Sequence, residues 1–155
     1  MNLLLELESN IGETIHNAAI QYPGRYPKFL NLNGRFDITV WWKDGSPRGA
    51  IEVKVMKNNS LKPIKDDLKE IKEFLKLAKK KENSKIQFGS IVVYTDYYDE
   101  EGKADETVKR RINNILKECT TIARENGFII RKWDEVIKIS DEESAYGIAA
   151  CMFSI

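Results

Sequence analysis

Histidine and cysteine are scarce in this chain. His16 stands alone, and the two cysteines, Cys119 and Cys151, are far apart in apolar surroundings. They make no metal-ligand spacing, so they read as reduced core thiols of a cytoplasmic protein rather than as a disulfide or zinc framework. A lone histidine on a helix is expected to pack or hydrogen-bond rather than to act as a base. No segment approaches the ~18 apolar residues of a membrane span. The opening MNLLLELESN lacks a basic stretch and is too short and too acidic for a signal peptide. Net charge is also nearly missing, at +1, which argues against a non-specific polycation. Repeats, linkers and low-complexity tracts are absent too.

What is present suits one soluble globular domain spanning residues 1–155. Charged residues make up 32% of the chain, and they are unevenly placed. Lys57 to Lys85 holds ten lysines against five acids, and Asp96 to Glu106 holds six acids against Lys103. A basic and an acidic face on one small domain suit an extended polyanion as partner. Each run alone also fits a merely solvated surface.

The order of elements follows from periodicity. Leu4, Leu7, Ile11, Ile15, Ala18 and Tyr22 mark a helix over residues 2–21, with a fresh start near Ser9 or Asn10, ended by Tyr22-Pro23-Gly24. Lys28 to Leu32 is a short strand, and Asn33-Gly34 a hairpin turn. Phe36, Ile38, Val40 and Trp42 alternate with polar neighbours, Asp44-Gly45 turns the chain, and Ala50 to Met56 alternates again. Ser60 caps a helix of about five turns through Ile64, Leu68, Ile71, Leu75 and Ala78. Ile86 to Thr95 reads as a buried central strand, reached by a right-handed crossover. An acidic loop from Asp96 to Gly102 leads to a helix from Asp105 to Glu125, closed by Asn126-Gly127. Phe128 to Arg131 and Tyr146 to Phe153 are the last strands. The order is α-β-β-β-α-β-α-β-β.

Side chains two apart on a strand share a face. Glu52 and Lys54 therefore stand together, and Asp37 on the paired strand stands opposite. Asp37, followed after about a dozen residues by Glu52-Val53-Lys54 between apolar strand residues, resembles the signature of the PD-(D/E)xK nuclease superfamily. Phe36 stands where the family name has Pro. The resemblance implies an α/β, restriction-endonuclease-like fold: a three-strand meander plus crossover helix, with a mixed central sheet flanked by helices.

It also implies chemistry. Mg²⁺, with Mn²⁺ as a substitute, takes one or two carboxylates plus waters and phosphate oxygens. Asp37 and Glu52 would supply the carboxylates and the Val53 backbone carbonyl a further ligand. Lys54 would orient the attacking water and stabilise the transition state, its pKa falling beside the metal. Many family members add an acid from the first helix. Glu13, one turn before His16, is the favoured candidate, ahead of Glu8 and Glu6. Lys57, Lys62 and Lys65, with Lys69, would position a phosphate backbone without reading sequence. Trp41 and Trp42 are expected to pack more than to stack on a base.

The reading is a Mg²⁺-dependent nuclease acting on DNA, with RNA not excluded. The alternative is a catalytically inactive nuclease-fold module that binds nucleic acid or a protein. A third reading, a regulatory α/β protein of another fold, survives only if the meander is wrong. No separate DNA-binding domain is visible, so specificity would be low or would come from a protein partner or a homodimer.

Overall fold

The computed structural model describes residues 24–25, 35–138 and 143–155. The expected helix over residues 2–21 and the strand from Lys28 to Leu32 lie outside those residues. The described elements are β1 (Gly24–Arg25), β2 (Arg35–Phe36), β3 (Ile38–Trp41), β4 (Pro47–Met56), α1 (Lys62–Lys80), β5 (Phe88–Tyr98), α2 (Ala104–Asn126), β6 (Ile129–Lys138) and β7 (Ser144–Ser154). β1 and β2 pair antiparallel as a two-stranded ribbon. The other strands form one mixed sheet in the order β3-β4-β5-β7-β6. β4 and β5 run parallel with α1 between them, and every other pair is antiparallel.

Local chemistry explains the elements. Gly45, at φ +77°, turns the β3–β4 hairpin. Its N–H donates to the Trp42 carbonyl, and Asp44 Oδ1 accepts the Ser46 N–H at 2.9 Å. Lys85 pairs with the other Asp44 oxygen. α1 buries Ile64, Leu68, Ile71, Phe74, Leu75 and Ala78, a stripe at helical spacing. α2 carries Asp105 and Glu106 in its first turn, which suits the positive end of the helix dipole. It stops at Gly127, whose φ of +64° is the left-handed cap anticipated from Asn126-Gly127.

Several boundaries differ from expectation. α1 begins at Lys62, with Leu61 rather than Ser60 as its cap. Pro63 is tolerated only in a first turn, and that fixes the start. β5 runs through Tyr98, so half of the supposed acidic loop is strand. β6 extends to Lys138 because β7 offers an antiparallel partner along that whole length. β4 starts at Pro47, three residues early, at the sheet's edge hairpin.

Both described helices lie on one face of the sheet. A Cβ at Gly89 would meet Ile71 of α1, and one at Gly147 would meet Val108 and Ile112 of α2. Gly147 pairs with Thr95, six residues from Gly89 and therefore on the same face. Ile91, Val93, Ala149, Cys151 and Phe153 fill this face. On the opposite face Val53, Val55, Ile129 and Trp133 are exposed. This corrects a simple amphipathic reading of β4. Its valines point to the open side, and Glu52 and Lys54 point beneath α1.

Gly147 lets α2 lie close against β7. A Cβ there would stand 2.7 Å from Val108 Cγ1 and 3.2 Å from the Glu135 backbone oxygen. Gly147→Ala should destabilise the fold by about 1–3 kcal/mol through overpacking, read as a lower urea midpoint. An unchanged midpoint would show that the helix can move away without cost.

Candidate functional site

Asp37 is positioned by its neighbour. Phe36 is fully buried and meets Phe74 of α1 edge-to-face, ring centroids 5.0 Å apart. The chain bends at Asp37 before β3 begins. The last β3–β4 pair on this side is Ile38 with Ile51. Beyond it, Asp37 Oδ2 takes the place of a strand partner and accepts the Val53 N–H at 2.8 Å. In an antiparallel strand a residue's N–H and C=O point to the same side. The Val53 carbonyl therefore faces the Asp37 side as well, while the Val53 side chain lies 41% exposed on the far face.

Glu52 is only 5% exposed, tucked under α1. Burial first, then a hydrogen bond and the charge of Asp37, then the charges of Asp67 and Glu70, push its carboxyl up to about 8. At neutral pH Glu52 is therefore held in its protonated form. Lys54 is about a third exposed, and its Nζ lies 2.9 Å from Asp67 Oδ2. Burial pulls the Lys54 ammonium down, but Asp67, Asp37 and Glu52 outweigh it and hold it above the usual lysine value. Asp67 is itself raised, by burial more than Lys54 lowers it. Its buried Oδ2 makes no hydrogen bond beyond the ion pair.

Asp67 and Glu70 escaped the sequence reading. They sit three residues apart on α1, on one side of the helix, within a run dominated by lysine. The signal was an acid directly beside buried Leu68, inside the apolar stripe that must face the sheet.

The basic residues are dispersed. Lys57, Lys62 and Lys65 are all exposed, but Lys65 pairs with Glu118 of α2 at 3.1 Å. Trp41 donates to Thr39 Oγ1, and Trp42 donates to the Lys85 carbonyl beneath the Arg48 guanidinium. Both indoles are engaged in packing. Cys119 and Cys151 are free and buried. Glu13, Glu8, Glu6 and His16 lie outside the described residues.

The donors at the site are hard oxygens, which suit a divalent cation such as Mg²⁺. Asp37 and Glu52 are the two that stand together, and among the described residues no group of three or more His, Cys, Asp or Glu is arranged to hold a metal ion. No described helix is long and apolar enough to cross a membrane. No family model matches the chain, and neither a curated protein nor a solved structure is significantly similar to it.

The raised Glu52 carboxyl has a defined effect on stability. Between pH ~4.5 and ~8 the folded protein holds a proton that the unfolded chain has lost. Stability of the metal-free protein should therefore fall as pH rises through this window, by at most about 1.4 kcal/mol per unit from this group. Thermal melts from pH 5 to 8 should show the decline, and Glu52→Gln should flatten it. An equal slope in that variant would place the proton elsewhere.

Proposed function

We propose that this chain is a Mg²⁺-dependent nuclease with a restriction-endonuclease-like core, hydrolysing phosphodiester bonds, in DNA before RNA. The observation that carries the reading is the buried Glu52 beside the half-buried Asp37, with Lys54 two residues along the same strand. The hairpin of β3 and β4, α1, and the parallel strand β5 follow in the order that the superfamily resemblance leads one to expect.

A bound divalent cation supplies Lewis acidity toward the scissile phosphate and a water acidified for attack. Asp37 and Glu52 would hold that ion, with the Val53 carbonyl on the same side. Glu52 gives up its proton to do so, since only the carboxylate is a ligand. Lys54 remains charged and stabilises negative charge developing on the phosphoryl oxygens. Asp67 orients that ammonium through their ion pair. Lys57, Lys62 and Lys65 place the backbone. Glu13 joins the site on the resemblance alone.

A second reading, a non-catalytic module that binds nucleic acid, is favoured by one observation. Lys54 is already engaged by Asp67, which a binding module would tolerate and an enzyme must partly release.

Cleavage of linear, circular, branched and single-stranded substrates with Mg²⁺ or Mn²⁺ separates the two. Lys54→Ala should lower the cleavage rate by ~10²–10³ while leaving substrate affinity within a few-fold, the pattern of a lost transition-state interaction. Lys54→Arg should rescue only in part, because a planar fork cannot replace a compact ammonium. Wild-type protein that cuts nothing, or Lys54→Ala that cuts normally, ends the catalytic reading.

Calorimetry gives the metal its own check. Asp37→Ala should abolish divalent-ion binding heat. Retained binding in that variant would remove the proposed site.

A further inference from the structure

A second feature lies at the carboxyl ends of the parallel strands β4 and β5. There a cleft of about 430 Å³ opens, lined by Lys57, Tyr94, Asp96, Tyr98, Ser144 and Tyr146 among others. The crevice outside the carboxyl ends of parallel strands is a common place for ligands in open α/β sheets. Its aromatic wall is preformed. Tyr94 of β5 and Tyr146 of β7 lie stacked, centroids 6.2 Å apart with 29° between planes. Tyr98 is 56% exposed, and its hydroxyl donates to Glu143 at 3.0 Å.

The backbone behind this wall is held firmly. Arg111 is buried, and its guanidinium donates to Asn59 Oδ1, Thr95 Oγ1 and the Asp96 carbonyl. Thr95 Oγ1 donates in turn to the Met56 carbonyl at 2.8 Å, joining the end of β4 to β5. The tyrosine rings are held where a flat ligand can stack on them.

We infer that this cleft binds an unpaired nucleotide of a single-stranded segment, the base stacked on the Tyr94–Tyr146 wall. Aromatic platforms beside a cation are the means by which proteins hold single strands, because every base has a π-face. Lys57 takes the neighbouring phosphate. It lines the cleft just beyond the end of β4, on the sheet face opposite the one on which Lys54 points beneath α1. Asp96 shares its strand face with Tyr94 and Tyr98. Its carboxylate repels phosphate but accepts a hydrogen bond from an exocyclic amino group such as cytosine N4. The inference deepens the nuclease reading, on which it rests for the class of substrate, by assigning substrates with unpaired nucleotides.

The test is fluorescence anisotropy with a short labelled oligo-dC and a blunt duplex, Ca²⁺ replacing Mg²⁺ so that binding is read without cleavage. Wild-type protein should prefer the single strand. Tyr146→Ala and Tyr98→Ala should each weaken oligo-dC binding roughly five- to a hundredfold and leave duplex binding unchanged. Tyr146→Phe, which keeps the ring, should bind as wild type. Lys57→Gln should reduce the salt slope for the single strand by about 0.7. Tyrosine variants that melt normally and bind oligo-dC like wild type overturn the proposal, as does wild-type protein with no preference for the single strand. Weakened binding in the alanine variants sustains it even if no substrate is ever cut, and cleavage with unchanged variant binding removes the cleft while leaving the nuclease reading in place.

Discussion

Glu52 is a carboxyl buried beneath a helix, and the rest of the site is arranged around that fact. An isolated carboxylate in such a place is costly, and the group takes up a proton instead. The next two acids, Asp67 and Glu70, come from the helix that covers it, and Asp37 comes from the bend just before β3. Their charges make ionisation harder still. A hydrophobic residue at position 52 would have packed against α1 at no such cost. Among these acids the ammonium of Lys54 stands 2.9 Å from Asp67 and offsets part of their charge.

The scaffold around this array is correspondingly firm. Phe36 is pinned to Phe74, so Asp37 has little freedom in where it turns. β4 lies between β3 and β5, so the strand carrying Glu52 and Lys54 is paired on both sides. At its carboxyl end the Arg111–Thr95–Met56 chain of hydrogen bonds fixes the exit into α1 and the wall of the tyrosine cleft together. Buried polar groups that are satisfied in this way specify one arrangement of their elements.

Much of the fold was legible because local signals were strong. The Asp44-Gly45 turn, the apolar stripes of both helices and the Gly127 cap each have a local physical cause, and each was found. The hairpin whose second strand carries Glu52 and Lys54 was legible from alternation, but the alternation through Phe36 and Ile38 is interrupted by the bend at Asp37. Which face of β4 lies under the helix was not legible. Val53 and Val55 look like core residues and Glu52 and Lys54 like surface, and the structure reverses this because α1 crosses on the acidic side. Asp67 and Glu70 were hidden by the lysines around them. Tyr94, Tyr98 and Tyr146 meet only through the β5–β7 register, a long-range pairing that no short window of sequence contains.

The central claim is that Glu52 exchanges its proton for a divalent ion held with Asp37. Metal ligands must be deprotonated, so binding below the raised Glu52 pKa releases a proton. Titrating the protein with Mn²⁺ at pH ~6.5, in two buffers of different ionisation enthalpy, measures that release directly. The account predicts close to one proton released per ion bound, with the release absent in Glu52→Gln. Binding with no proton released, or no binding at all, would contradict it.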